Sequence, residues 1–306
     1  MRLVFAGTPA VAVPTLRRLA ATHDIAAVVT RPDAPLGRKR ILTPSPVAQA
    51  AGELGIPVIK AAKLDAEATS AITALGADLG VIVAYGGLVR EPLLSAPAHG
   101  WINLHFSLLP QWRGAAPVQR ALIAGDDALG VSVFQLVPAL DAGDVFAMQT
   151  VDVPDDATAD TALNILALDG AEVTAVVVDE IAAGTAQATA QTGEPTVASK
   201  LTLDDGALSW DEPVETVYAR FRGVTPEPGA HTSIDGARLK ILDASRTGAD
   251  YPALEPGEIA AIKGALLIGT ASAPLEVRRV QPAGKGAMNA ADWWRGLRGQ
   301  SARVGS

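Results

Sequence analysis

The chain has 306 residues, of which 49% are hydrophobic and 19% are charged, so it is expected to fold into two globular domains. Cysteine is absent, which excludes disulfides, thiolate nucleophiles and cysteine-ligated metals and fits a cytoplasmic location. No apolar run reaches the ~20 residues that span a bilayer, so no membrane association is expected. The net charge is −8, but residues 220–306 hold 12 Lys/Arg against 8 Asp/Glu, so this C-terminal part is mildly basic.

Short apolar runs alternate with amphipathic segments over the first third of the chain. The N-terminal run is too short for a signal peptide, so it is expected to be the first strand. We predict strands at 2–6, 25–30, 56–59 and 79–84, and helices at 11–21, 46–54 and 65–75. Near-continuous apolar strands separated by helices are typical of a parallel sheet covered on both faces. The sequence therefore predicts a doubly wound, mostly parallel, Rossmann-like α/β domain that binds ligands at the carboxyl ends of its strands.

The pattern changes in the last third of the chain. Strands at 101–106, 131–137 and 145–153 and a helix at 159–183 are expected to complete the first domain. A Thr/Ala/Gln/Gly-rich segment at 184–199 is typical of a linker. After it we predict a helix at 213–222 and short strands at 231–234, 238–244, 258–262, 265–269 and 275–281, which together indicate a small OB-like β-barrel. The predicted domains are residues 1–186 and 205–306, joined by a linker at 187–204.

Two other kinds of site are not indicated. Residues 7–10, after the first predicted strand, read Gly-Thr-Pro-Ala and lack the Gly-x-Gly-x-x-Gly spacing of dinucleotide-binding proteins. The four histidines show no metal-ligand spacing, so no metal is expected. A nicotinamide-dependent dehydrogenase is therefore a weak alternative.

A proline-rich loop at 31–46 concentrates positive charge at Arg38, Lys39 and Arg40. The loop is long for a strand-to-helix connection, and unusually long loops tend to be functional. The three side chains either form a solvated surface turn or bind the phosphates of a nucleic acid. The residues alone leave both interpretations open.

The segment 101–117, WINLHFSLLPQWRGAAP, carries the strongest chemical signal. Strand alternation sends Asn103 and His105 to the same face, at the end of the strand, where active groups of open α/β sheets usually lie. An amide beside an imidazole suits acyl transfer to an amine, because the amide can hydrogen-bond an oxyanion while the imidazole moves protons. The alternative is that His105 is a buried structural residue, as lone histidines often are.

The segment 140–144, Leu-Asp-Ala-Gly-Asp, is a second region of interest. Turns rich in Asp and Gly are common between strands, so a structural role is the simplest interpretation. Asp141 becomes a functional candidate only as a partner of His105, whose ring it would orient and whose pKa it would raise. Sequence alone does not show that the two residues meet.

The run NLHFSLLPQWRGAAPVQ, with LDAGD downstream and FAGTP upstream, closely resembles the methionyl-tRNA formyltransferases, a branch of the folate-dependent formyltransferase family. The Asn-x-His pair, the Asp and the SLLP run are shared across that wider family, including the enzymes that act on glycinamide ribonucleotide. The extension RGAAPVQ, the loop RPDAPLGRKR and the later QPAGKGAM are similar to the tRNA-directed branch. The resemblance covers essentially the whole chain.

The resemblance implies formyl transfer from 10-formyltetrahydrofolate, a co-substrate, to the α-amino group of methionine on initiator methionyl-tRNA. No metal is implied, and a monomer is expected. The implied site residues are catalytic Asn103, His105 and Asp141, folate-contacting Ser107, Leu108, Leu109 and Pro110, and tRNA-contacting Arg38, Lys39 and Arg40. The C-terminal barrel is implied to bind the tRNA backbone.

The chain departs from the family pattern in two places. Phe106 stands where several relatives have a smaller residue, and residues 225–228 read Thr-Pro-Glu-Pro where the family has a tryptophan-containing turn. The nearest competing function is formyl transfer to glycinamide ribonucleotide or to an amino sugar, although the purine enzyme would need only the front half of the chain. A non-catalytic RNA-binding protein is disfavoured, because an aromatic content of 4% leaves few surfaces for base stacking.

Overall fold

The computed structural model describes residues 1–37, 39–248, 251–262, 264–297 and 303–305, and these form two compact units. The first unit comprises Met1–Pro117, Ala128–Asp152 and Leu163–Ala198. The second comprises Val118–Asp127, Val153–Ala162 and Ser199–Ser306. The domain and linker boundaries expected from the sequence stay a prediction.

A seven-stranded sheet forms the centre of the first unit. The strands of this unit are β1 (Arg2–Gly7), β2 (Asp24–Thr30), β3 (Ala34–Leu36), β4 (Ile41–Thr43), β5 (Val58–Lys60), β6 (Leu79–Val83), β7 (Trp101–His105), β8 (Arg113–Gly114), β9 (Leu129–Gln135), β10 (Val145–Val151) and β11 (Val197–Ala198). The sheet order is β10-β9-β7-β6-β1-β2-β5, in which the pairs β10–β9 and β9–β7 are antiparallel and the other four pairs are parallel. This confirms the predicted mostly parallel α/β fold.

The order of the strands places the site. The chain passes from β1 to β2 on one side and returns to β6 on the other side of β1, so the strand order reverses there. Ligands of open α/β sheets bind outside the carboxyl ends of the strands near such a reversal. β7, which carries the predicted residues, is the next strand beyond β6.

The helices between residues 1 and 183 are α1 (Val13–Ala20), α2 (Pro46–Glu53), α3 (Ala66–Thr73), α4 (Pro117–Ala124) and α5 (Ala159–Ala183). Of these, α2 and α3 begin at residues whose side chains cap the first turn. Ser45 Oγ accepts a hydrogen bond from Ala48 N (3.0 Å), and Pro46 occupies the first position of α2, where its missing N–H costs nothing. Asp65 Oδ1 caps α3 in the same way through Ala68 N (3.0 Å).

Among the described residues, α5 is the one helix that is long and apolar enough to cross a membrane by length and composition. Half of its most apolar window is buried within the structure. Its buried residues recur every three or four positions, at Ala162, Leu166, Ala167, Ala171, Thr174, Ala175 and Val178. At Gly170 a methyl group would come within 2.9 Å of Leu104 on β7. This amphipathic pattern is that of a helix packed on the sheet.

The second unit contains an antiparallel sheet. Its elements are α6 (Val214–Gly223), β12 (His231–Ile234), β13 (Ala237–Arg246), β14 (Ile259–Ile262), β15 (Ala265–Ile268), β16 (Leu275–Pro282), β17 (Met288–Asn289) and α7 (Ala290–Gly296). The sheet order is β12-β13-β16-β15-β14, with β17 paired to β16. Trp210, Phe221 and Trp293 belong to its buried core. The predicted C-terminal β domain is confirmed as this antiparallel sheet.

Some elements differ from the predicted set. The loop at 31–46 contains the hairpin of β3 and β4, with Lys39 and Arg40 between the two strands. Two helices, α4 and α7, are not among the predicted elements.

We expect Gly80→Ala to destabilise the first unit. A methyl group at residue 80, on β6, would lie 2.2 Å from the indole of the fully buried Trp101, whose Nε1 donates to Leu93 O (2.8 Å). Overpacking of this kind costs roughly 1–3 kcal/mol, so urea denaturation should show a lower free energy of unfolding.

The matched control is Gly52→Ala, at an exposed position of α2 with open space around it. Alanine is the better helix former by about 0.5–1 kcal/mol, so this variant should be as stable as the wild type or slightly more stable. Equal losses in the two variants would show that the contact with Trp101 is not the cause.

Candidate active site

Asn103 and His105 lie at the end of β7, on the same face of the sheet, as their spacing predicts. Asn103 pairs with Ile82 of β6 on one side and Phe134 of β9 on the other, and His105 pairs with Ser132. The His105 side chain is buried at 6% exposure, whereas Asn103 is half-buried. The strand therefore presents an accessible amide next to a nearly enclosed imidazole.

The ring of His105 is held by the loop that follows it. Nε2 lies 2.8 Å from the carbonyl oxygen of Trp112, and the ring packs edge-on against Phe134 with centroids 6.3 Å apart. A carbonyl oxygen can only accept, so Nε2 must carry the proton of this hydrogen bond. In the neutral ring, Nδ1 is then the nitrogen with a free lone pair.

Asp141 meets His105 in the fold. Its Oδ2 lies 3.9 Å from Nδ1 of the ring, close enough for an electrostatic interaction but too far for a hydrogen bond. The same oxygen accepts a hydrogen bond from Gly114 N at 2.7 Å. Asp141 adopts a left-handed backbone conformation, with φ of 44°, which turns the carboxylate toward the ring.

Burial lowers the pKa of His105 below the ordinary value of 6.5, and the charge of Asp141 and the Trp112 carbonyl offset only part of this effect. The ring is therefore neutral at pH 7. Asp141 raises the pKa of His105, as expected, but desolvation by burial is the larger effect and the net shift is downward. Since the unfolded chain holds this proton more tightly, the contribution of His105 lowers the free energy of unfolding as the pH falls below about 6.5.

The side-chain amide of Asn103 is free to bind a substrate. Within the part of the chain that the structure describes, no side-chain or backbone group hydrogen-bonds it. A cavity of about 210 Å³ lies nearby, lined by Leu109 and by residues 145–148 and 189–192, but it includes none of the three candidate catalytic residues. Asn103 and His105 lie on the last three residues of β7, at the carboxyl edge of the sheet.

The predicted folate-contacting segment, residues 107–110, turns most of its side chains inward. Ser107 Oγ donates to Gln111 O (2.6 Å), and Leu109 packs in a buried cluster with Phe134. Pro110 is also buried, whereas Leu108 is half-buried and its side chain lies close to Gly130. The segment would therefore meet a ligand through its backbone and through Leu108.

Ser132 is a supporting residue that the sequence analysis missed. It is fully buried on β9, where its Oγ donates to Ser107 O (2.7 Å) and accepts from Leu109 N (3.1 Å). It thus fixes the start of the loop that reaches the Trp112 carbonyl. The signal in the sequence is a single hydroxyl inside the apolar run LGVSVFQ.

The basic loop is partly described. Arg38 lies outside the described residues, whereas Lys39 and Arg40 are exposed and form no ion pair with a described residue. Next to them, Leu36, Ile41 and Leu42 are exposed apolar side chains, each more than 60% accessible. The described part of the hairpin tip is thus both cationic and apolar. Elsewhere, no cluster of three or more His, Asp or Glu side chains in the described part of the chain could hold a metal ion.

Comparison with known proteins places this site in a family. Residues 1–178 match the formyl transferase family, and residues 200–298 match the formyl transferase C-terminal domain. The chain is 61% identical to the methionyl-tRNA formyltransferase of Clavibacter sepedonicus, over 97% of both chains. It is 59% identical to that of Leifsonia xyli subsp. xyli (strain CTCB07), over 98% of this chain and 99% of the relative.

The fold is also shared with a solved structure. The sugar 3N-formyl transferase WlaRD, crystallised in the presence of dTDP and 5-N-formyl-THF, superposes with a TM-score of 0.68 over 94% of this chain and 99% of its own, at 12% identity. At that identity the likeness shows the fold alone, whereas the identity to the two closer relatives runs through both units. The chain belongs to the methionyl-tRNA formyltransferase family, within the folate-dependent formyltransferases.

Proposed function

We propose that this chain transfers the formyl group of 10-formyltetrahydrofolate to the α-amino group of methionine on initiator methionyl-tRNA, for the initiation of translation. The activity belongs in the cytoplasm, and the chain acts as a monomer. The observation that carries the proposal is the meeting of a free amide, a neutral imidazole and a carboxylate at the carboxyl edge of the sheet. These three groups meet in a chain that is 61% identical to a methionyl-tRNA formyltransferase.

Asn103 stabilises the charge that develops during the transfer. When the methionine amine attacks the formyl carbon, the carbonyl oxygen becomes negative. The side-chain N–H groups of Asn103 have no other described partner, so they can donate to this oxygen without first breaking a hydrogen bond. Donors that are oriented before the reaction are the most effective form of such stabilisation.

His105 moves the proton. Its Nδ1 carries the free lone pair in the neutral ring, so it takes the proton that the attacking amine must lose. It then returns this proton to the folate nitrogen that leaves as the C–N bond breaks. Asp141, 3.9 Å from Nδ1, stabilises the imidazolium that exists between the two steps. The resting ring is a base, and the carboxylate supports its charge only during the reaction.

The residues present fit a reduced folate as the formyl donor, which would supply the formyl carbon and the leaving nitrogen. Leu88, in the segment after β6, and Leu140, next to Asp141, are 67% and 56% exposed. Small-molecule sites are lined mainly by apolar side chains with a few polar groups that fix the orientation of the ligand. With the backbone of residues 107–110, they would hold the donor beside Asn103.

The tRNA acceptor end is bound by the basic loop and by the second unit. Lys39 and Arg40 are exposed and form no ion pair with a described residue, which suits contacts with phosphates. We assign the same role to Arg38 from the sequence. The net excess of basic residues at 220–306 supports backbone binding by the second unit.

The function is tested by supplying 10-formyltetrahydrofolate with methionyl-tRNA and, in parallel, with glycinamide ribonucleotide. We expect formylation of the methionine amine and no comparable transfer to the nucleotide. Asn103→Ala should lower kcat on methionyl-tRNA by ~10²–10³, the effect of losing one oxyanion donor, without changing the free energy of unfolding.

The matched control is Asn164→Ala, at an exposed position of α5, which should retain wild-type turnover. Preferred transfer to glycinamide ribonucleotide would overturn the assignment of the acceptor. Full turnover by Asn103→Ala would overturn the assignment of the oxyanion donor.

The role of the basic loop is tested by the salt dependence of kcat/KM for methionyl-tRNA. The double variant Lys39→Ala/Arg40→Ala should have a lower kcat/KM and a shallower slope against the logarithm of salt concentration. Each lost phosphate contact should reduce the slope by roughly 0.7–0.9. Lys63→Ala removes an exposed lysine outside the loop and serves as the control. If the double variant and the control have the same slope as the wild type, the loop does not contact phosphates.

A further inference from the structure

Gln191 joins two parts of the candidate active site. Its Nε2 donates to the carbonyl oxygens of Asp141 (2.9 Å) and Gly143 (2.8 Å). Its Oε1 accepts from Nε and Nη2 of Arg113, at 3.1 and 2.6 Å. Both N–H groups and both lone pairs of the amide are therefore used, which fixes the side chain in one orientation.

Gln191 belongs to residues 189–198, which we call the strap. The strap lies within the segment that composition predicts to be a linker. It pairs with the sheet where Thr189 and Val145 exchange backbone hydrogen bonds (2.8 and 3.0 Å). It pairs with the loop after His105 where β11 runs parallel to β8.

The strap also holds the hydrogen-bond acceptor of His105. Trp112 N donates to Thr196 Oγ1 (2.8 Å), and Arg113 N donates to Thr196 O (2.9 Å). These bonds fix the peptide group that contains the Trp112 carbonyl, which accepts from His105 Nε2, and the peptide group before it. Thr196 therefore acts on one nitrogen of the ring, and Gln191, through Asp141, acts on the other.

The turn that carries Asp141 depends on these contacts for its position. Asp141 has φ of 44°, a conformation that non-glycine residues adopt only when their surroundings hold them there. On one side the turn lies against β9, because a methyl group at Gly143 would be 1.8 Å from Gln135 O. On the other side it is bound by Gln191. The turn that carries Asp141 is therefore held between β9 and the side-chain amide of Gln191.

We propose that Gln191, anchored by Arg113, is a positioning residue that sets the distance between the Asp141 carboxylate and His105 Nδ1. The inference rests on the proposed function, because it assigns Gln191 to that reaction. Gln191 acts through the backbone of Asp141 and touches no reacting atom. A displacement of about 1 Å in such a site can cost 10²-fold in rate, so a change in this amide should be visible in turnover.

The test compares Gln191→Ala and Gln191→Glu with the wild type. Gln191→Ala removes all four hydrogen bonds. Gln191→Glu keeps an acceptor for Arg113 but places a carboxylate against the carbonyl oxygens of Asp141 and Gly143. Both variants should lower kcat by on the order of 10- to 100-fold, while the KM values for folate and methionyl-tRNA stay within about threefold.

A second readout separates positioning from simple loss of folded enzyme. The charge of Asp141 raises the pKa of His105 against the larger effect of burial. With the carboxylate displaced, the acid limb of the kcat–pH profile should move to lower pH. The ¹⁵N NMR titration of His105 in the free protein should shift in the same direction. A purely structural role would reduce the active fraction without moving either midpoint.

The matched control is Gln187→Ala, an exposed glutamine four residues earlier, which should behave as the wild type. If Gln191→Ala keeps kcat within threefold, or loses activity with an unmoved His105 midpoint, the inference is wrong. Failure of the wild type to formylate methionyl-tRNA would overturn the proposed function instead, since the NMR titration tests the positioning role of Gln191 without any turnover.

Discussion

The hydrogen bond from His105 Nε2 to the carbonyl oxygen of Trp112 is the constraint on which the site depends. It decides which nitrogen of the ring carries the proton, and it leaves Nδ1, which lies 3.9 Å from Asp141 Oδ2, with a lone pair that can accept one. Without this fixed acceptor, the neutral ring could carry its proton on either nitrogen. The proximity of His105 to Asp141 would then not show which ring nitrogen accepts a proton.

Residues from two other parts of the fold hold the Trp112 carbonyl in place. Ser132 secures the start of the loop after β7, and Thr196 secures its far end. Burial keeps the ring neutral, so that it can accept a proton, while the carboxylate provides for the charge that follows. Burial lowers the pKa of His105 and so favours the resting base, whereas the Asp141 carboxylate raises this pKa and so favours the imidazolium that forms during the reaction.

Much of the fold and part of the site follow from the sequence. Fully buried parallel strands leave near-continuous apolar runs, and alternation along β7 places Asn103 and His105 together. The meeting of Asp141 with His105 depends on a left-handed turn and on contacts between residues 27 to 84 positions apart, which no local pattern encodes. The strap was not predicted for a related reason. Its Thr/Gln/Gly composition is typical of a linker, whereas its conformation depends on pairing with strands that are distant in the sequence. The direction of the His105 pKa shift likewise depends on burial, which sequence does not measure.

¹⁵N NMR of the histidine side chains in the free protein tests whether His105 is a neutral base whose tautomer is set by the Trp112 carbonyl. The chain has four histidines, and the signals of residue 105 can be assigned by their loss in His105→Gln. We expect His105 to titrate with a midpoint below 6.5, because burial outweighs the charge of Asp141. Above that midpoint we expect the neutral ring to be protonated on Nε2. A midpoint above 6.5, or a neutral ring protonated on Nδ1, would contradict the account of His105 as a neutral base whose tautomer the Trp112 carbonyl sets.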